Sequence, residues 1–277
     1  MMKNSEELKK AVQEKYAAIA QQGTLPDGEE YANLLCCGEG DDSFAENYGQ
    51  VAGYQSEADL GLGCGLPTEY AHIKAGDTVV DLGSGAGNDC FVARAIAGER
   101  GQVIGIDMTP EMIDKARQNA QKLGYTNVVF HLGEIEAMPL DDNLADVVVS
   151  NCVLNLVPNK TEAFKETYRI LKPGGHFSIS DIVVRGELPD KLKESAELYA
   201  GCVSGALPQE EYLQEVTQAG FQGIKIQKER RITLSDELLS EHLTAEEITR
   251  FNESDTGLFS VTVYAEKPKD CCGPECC

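Results

Sequence analysis

The segment from Val79 to Gly87, Val-Val-Asp-Leu-Gly-Ser-Gly-Ala-Gly, constrains the fold more than any other stretch of this chain. Its apolar run reads as a buried strand. The glycines that follow let the backbone turn sharply and approach a ligand before a helix expected over 88–97. The same texture repeats downstream, with apolar runs expected as strands at 78–82, 103–107, 128–130, 146–149 and 176–180. Helix-period stretches such as 110–123 and 161–171 separate them. Strands and helices alternating at this spacing predict βαβ units, hence an α/β fold whose parallel sheet carries helices on both faces.

Four parts follow along the chain. Residues 1–69 read as an N-terminal arm or lid, with a helix expected over 6–20 and a Gly- and Asp-rich segment around Cys36 and Cys37. Residues 70–185 form the nucleotide-binding core. Residues 186–267 read as a helix-like insertion over the sheet, then strands at 223–228 and 258–266 that complete it. Residues 268–277 are a Cys-rich tail too short and polar to fold alone. No stretch without charge exceeds the 13 residues Val147–Asn159, short of the roughly 18 to 20 needed to span a membrane. The formal net charge of −22 repels phosphate backbones and anionic lipid, so neither nucleic acid nor membrane is expected as a partner. With no apolar run behind Lys3, a cytoplasmic location is expected.

Asp107 stands 20 residues after Gly87, the distance at which an acid reaches ribose hydroxyls in a nucleotide-binding βαβ unit. The spacing G-x-G-x-G and the acid Asp81 ahead of the loop differ from a nicotinamide fingerprint. They resemble the first motif of class I S-adenosylmethionine (SAM) methyltransferases. Further motifs of that family stand in order: Ile106-Asp107-Met108, Gly133-Glu134-Ile135, Asp146–Asn151, and Leu171-Lys172-Pro173-Gly174-Gly175 before the fifth strand. This resemblance covers about residues 70–185. It implies a Rossmann-like fold and SAM as cofactor, held by Asp81, Gly83, Ser84, Gly85, Gly87, Asp107, Met108, Gly133, Glu134, Ile135 and Asn151.

The chain has 10 cysteines, which in a reducing compartment point to thiol chemistry or soft-ion binding rather than to a disulfide framework. Cys152 falls where the fourth strand ends, at the edge of the sheet where ligands bind. Cys64 and Cys202 lie in Gly-rich contexts, Gly61-Leu62-Gly63-Cys64-Gly65 and Gly201-Cys202-Val203-Ser204-Gly205, that read as mobile. Three converging thiolates suit a thiophilic ion rather than magnesium or calcium. Together with the core motifs, these segments resemble arsenite methyltransferases across nearly the whole chain. The resemblance implies methylation of trivalent arsenic, an arsenic-detoxifying activity, with arsenite or its glutathione complex as substrate. It implies that Cys152 and Cys202 bind arsenic, that Cys64 is a third thiol that ligates or relays oxidation, and that Cys36 or Cys37 is its redox partner. Thioredoxin or glutathione would be the reductant.

Cys90 reads as a core residue, and His72, His131, His176 and His242 as structural or exposed. The tail thiols Cys271, Cys272, Cys276 and Cys277 form two vicinal pairs about a Gly-Pro turn, an accessory soft-ion claw or an idle terminus. Two other readings compete: a SAM-dependent enzyme of the same fold acting on a small organic acceptor such as a quinone or phenol, and a metalloid-binding protein without activity.

Overall fold

The computed structural model of the chain describes residues 5–22, 48–187, 189, 205–232, 239–241 and 243–269. At its centre lie β1 (Thr78–Leu82), β2 (Gln102–Asp107), β3 (Val128–Leu132), β4 (Ala145–Asn151) and β5 (Leu171–Arg185). Between them run α3 (Asn88–Ala97), α4 (Pro110–Lys122) and α5 (Lys160–Ile170). Ahead of them come α1 (Ser5–Gln22) and the short α2 (Pro67–Tyr70); after them come α6 (Gln209–Gln218), β6 (Gln222–Ile232), α7 (Ala245–Glu253) and β7 (Gly257–Glu266).

Successive residues of a strand face opposite sides, and each central strand here is apolar on both. Val79 packs with Phe91 and Ile113 on one face, while Val80 packs with Val148 and Phe177 on the other. Burying each such side chain stabilises the fold by about 1.5–3 kcal/mol. Helix boundaries follow local signals: Pro110 opens α4, the Asn159 side chain accepts from the Glu162 amide to cap α5, and Thr244 with Glu247 forms a capping box on α7.

The strand order is β3-β2-β1-β4-β5-β7-β6. The first five strands are mutually parallel, and the order reverses between β1 and β4, where open α/β sheets bind their ligands. The expected parallel βαβ core is thus present, and the two late strands, whose direction the sequence left open, complete the sheet antiparallel. β7 pairs antiparallel with both β5 and β6, because β5 crosses over through α6 to β6 and the last strand inserts between them. β5 is also far longer than its apolar run suggested, 15 residues, since its second half pairs with β7 beyond the end of β4. The Lys172–Gly175 motif lies inside this strand as a bulge: Leu171 pairs with Ala145 and the next partners are His176 and Val147.

A third apolar cluster closes the carboxyl edge of the sheet. It joins Val12 of α1, Cys64, Cys152, Ile182 and Val184 of β5, Ile232 of β6, Phe251 of α7 and Leu258 of β7. Among the described residues no helix is long and apolar enough to cross a membrane.

Candidate functional site

One cavity runs along the carboxyl ends of β1, β2 and β4, from the glycine loop to Cys152. At its first end Gly83, Gly85 and Gly87 have φ of 68°, 51° and 100°, values that other residues rarely adopt. A Cβ on Gly83 would stand 2.3 Å from Val153, whereas Gly85 faces open space. The loop is tied to β2, with the Ser84 amide donating to the Ile106 carbonyl at 2.9 Å. Asp107 accepts from the Gly85 amide at 3.0 Å and from the Thr109 amide at 2.8 Å. Burial raises its pKa and these amides pull it back.

Ser84 Oγ is buried in the same wall without a hydrogen-bond partner. A left-handed loop open at Gly85, an acid fixed by main-chain donors and an orphan hydroxyl are what the ribose and amino-acid ends of SAM require. Met108, Gly133, Glu134 and Ile135 line the cavity beside them. Asp81 lines it too, but is buried and accepts the Cys90 thiol at 3.2 Å. Burial, with Asp89 nearby, pushes the Asp81 carboxyl well above the usual range, and burial likewise raises the Cys90 thiol. Cys90 is thus a core residue, as expected, and also the donor that holds Asp81.

Helix α1 lies over this end. Lys9 pairs with Glu134 and, at 3.0 Å, with Glu136, and Gln13 Nε2 donates to the Met108 carbonyl at 2.8 Å. Neither residue was singled out in the sequence, where Lys9 and Gln13 look like any exposed helix positions.

Cys152 lines the other end, and it shares a buried apolar cluster with Cys64, whose neighbour Gly63 lines the cavity while Cys64 itself does not; neither thiol is in a disulfide. Cys152 has a φ of 61°, unusual for a residue with a side chain, and its amide donates to the Ser180 carbonyl at 2.8 Å. Two glycines of the loop bearing Cys64 are packed, while Gly61 faces open space. A Cβ on Gly63 would meet Asn151 at 2.6 Å and one on Gly65 would meet Ser180 Oγ at 2.5 Å, so these glycines serve close approach. The Ser260 hydroxyl donates to the Cys64 carbonyl at 2.6 Å.

Asn151 stands between the two ends, next to Tyr48 and Asp89. The Tyr48 hydroxyl donates to Asp89 at 2.8 Å, and burial pushes the Asp89 carboxyl up to about 6 while its Asn151 and Tyr48 donors hold it down. Beneath lies Asp181, which accepts the Ile182 amide at 2.9 Å and is pushed up to about 7 by burial. Cys36, Cys37, Cys202, His242 and the four tail cysteines lie outside the described residues. Among those described, no group of three or more His, Cys, Asp or Glu side chains is arranged to hold a metal ion, and no histidine lines the cavity.

The chain is 40% identical over 275 residues to an arsenite methyltransferase of Halobacterium salinarum, a match spanning 96% of this chain and 68% of that one. It belongs to the arsenite methyltransferase family. A methyltransferase-domain family model matches residues 73–220. An arsenite methyltransferase of Aquipseudomonas alcaligenes is 38% identical over 188 residues, covering 65% of this chain but 54% of its own length. The crystal structure of an arsenic(III) S-adenosylmethionine methyltransferase from Chlamydomonas reinhardtii superposes with a TM-score of 0.63 at 35% identity, over 74% of this chain and 68% of that one. Within the arsenite methyltransferase family frame, the sequence motifs for the cofactor fall together at one end of the cavity. Of the predicted arsenic thiols, Cys152 lines the other end, and Cys64 shares its buried cluster.

Proposed function

We propose that this chain methylates trivalent arsenic with SAM as donor. The observation that supports the reading is that Cys152, at the end of a methyltransferase cavity, shares one buried apolar cluster with Cys64, a thiol from a distant segment whose neighbour Gly63 lines the same cavity. Cys202 is the third arsenic ligand in this proposal. Asp107 would hold the ribose hydroxyls, and the amides of the glycine loop the amino-acid end. Bound SAM supplies a methyl group on a positively charged sulfur.

Arsenite exchanges its hydroxyls for thiolates and releases water, so the protein's task is to hold a soft ion with its lone pair toward that methyl. Fixing both partners contributes up to about 7–11 kcal/mol when orientation is good. The attacking arsenic has no proton to lose. That fits a cavity whose described walls include no histidine, so the chain need supply no general base. Gaining a methyl cation raises arsenic formally from the trivalent to the pentavalent state. Cys36 or Cys37 then attacks the arsenic-bound sulfur of Cys64: a disulfide closes, the arsenic–sulfur bonding pair returns to arsenic as its lone pair, and one proton is released. Thioredoxin or glutathione then reduces that disulfide. A cytoplasmic setting, where these thiols stay reduced, belongs to the same proposal.

The test is incubation with SAM, arsenite and a thiol reductant, followed by chromatographic separation of the arsenic species. Methylated arsenic is expected from the native chain. Cys152→Ser is expected to lower the rate at least about 100-fold, about 2.7 kcal/mol, while still binding SAM. A native chain that makes no methylated arsenic, or a Cys152→Ser chain that works normally, overturns the reading.

A further inference from the structure

The amide of Asn151 is fully engaged by the protein itself. Its Oδ1 accepts from the Cys64 amide at 2.9 Å and from the Gly65 amide at 3.2 Å. Its Nδ2 donates to the Gly65 carbonyl at 2.8 Å and to the Tyr48 hydroxyl at 2.6 Å, with Asp89 Oδ2 at 3.1 Å. These contacts require an acceptor and a donor on one planar group. Aspartate in that place would lose the donor and face Asp89, and an apolar side chain would strand the amides of Cys64 and Gly65 and leave the Gly65 carbonyl only the Tyr48 hydroxyl, at 3.1 Å.

Asn151 is also the residue immediately before Cys152, whose own amide is fixed to Ser180. The backbone that sets one thiol therefore carries the side chain that holds the loop of the other. Gly63 and Gly65 let that loop press against Asn151 and Ser180, and Tyr48 with Asp89 fixes which way the amide points.

We infer that Asn151 is a positioning residue that seats the Cys64 thiol beside Cys152, rather than a group that recognises the cofactor. The inference rests on the proposed thiol-bound arsenic for its meaning in the reaction, but the seating itself is measurable without arsenic.

The experiment compares the native full-length chain with Asn151→Ala and Tyr48→Phe. Iodoacetamide labelling of the reduced protein, followed by peptide mapping, reads each thiol separately. Asn151→Ala is expected to speed alkylation of Cys64 about tenfold, the equivalent of roughly one lost hydrogen bond to a buried group. Cys90, buried against Asp81 on another part of the core, is expected to keep its native rate, which distinguishes a released loop from a loosened fold. The KM for arsenite is expected to rise about tenfold, while the calorimetric SAM affinity stays within about twofold. Tyr48→Phe, which keeps the Asn151 bonds to Cys64 and Gly65 but loses the bond of the Tyr48 hydroxyl to the Gly65 carbonyl at 3.1 Å, is expected to give a smaller rise of the same kind, and it carries the test should the alanine chain not fold.

Unchanged Cys64 labelling, or a SAM affinity that falls as far as the arsenite KM rises, overturns the inference. Selective exposure of Cys64 in a protein whose native form makes no methylated arsenic leaves the seating intact and removes only the arsenic reading.

Discussion

At the cofactor end of the cavity the bonds that hold Asp107 are short in sequence and made by main chain, although α1 is tied over them by the longer-range side-chain bonds of Lys9 and Gln13. Asp107 is held by the amides of Thr109 and Gly85, 2 and 22 residues away. At the thiol end they are long in sequence and involve side chains: Asn151 reaches the Cys64 amide across 87 residues. The first construction is a property of one βαβ unit, so it forms wherever that unit folds. The second exists only when the loop before α2, the end of β4 and strands β5 and β7 have all assembled. The two ends should therefore respond separately to substitution.

The largest effect expected on one end alone comes from Asp107→Ala. Losing hydrogen bonds from ribose hydroxyls to an ionised acceptor is expected to weaken SAM binding by about 2–4 kcal/mol, with arsenite binding unchanged. Titration calorimetry with each ligand checks this, and a parallel loss of arsenite binding would show that the ends are not independent.

The buried carboxyl beneath the thiol end gives a second, pH-dependent contrast. Burial raises Asp181 from 3.8 to about 7, so the folded state keeps a proton that the unfolded chain releases. The stability this contributes is fullest below about pH 4 and is lost as pH rises to about 7. Between pH 5 and 8 this group alone is expected to cost the native chain about 2–3 kcal/mol, a loss that Asp181→Asn should lack. Asp89, raised to about 6, pulls in the same direction and remains in both proteins. Urea unfolding at the two pH values decides, and identical pH dependence in the two chains would remove Asp181 as a source.

The smallest expected change is Gly65→Ala. Its Cβ would stand 2.5 Å from Ser180 Oγ and 2.7 Å from Ser180 Cβ, and relieving such overpacking costs about 1–3 kcal/mol. The urea midpoint should fall and arsenite binding weaken, while SAM affinity holds. A normal arsenite affinity would mean that the loop can shift without disturbing the thiols.

The same contrast explains what the sequence disclosed. Strands 78–82 and 103–107, helix 88–97, the glycine turn and Asp107 were legible because period, glycine and spacing all act within about 30 residues. The length of β5 was hidden because the Pro173-Gly174-Gly175 bulge interrupts its start and Asp181 its apolar pattern, yet Asp181 is fully buried where β5 pairs with β7. The antiparallel insertion of β7 leaves no local mark. Cys64 and Cys152 were recognisable as thiols of interest, but the flanking glycines were read as freedom when they are contact surfaces. Tyr48, Asp89, Lys9 and Gln13 were missed because single polar residues carry no periodicity, and only the folded chain brings them to the cavity.

The hydrogen bond from Ser260 to the Cys64 carbonyl joins residues 196 apart, and it sets an order in time. During synthesis at about 5–20 residues per second, Ser260 leaves the ribosome roughly 10–40 s after Cys64. Once Thr109 has been added the glycine turn and Asp107 have the residues that tie them together, while the thiol loop still lacks Ser260, 151 residues further on. The half of the cavity that is local can mature first; the half that handles the thiols can close only after β7 has been made.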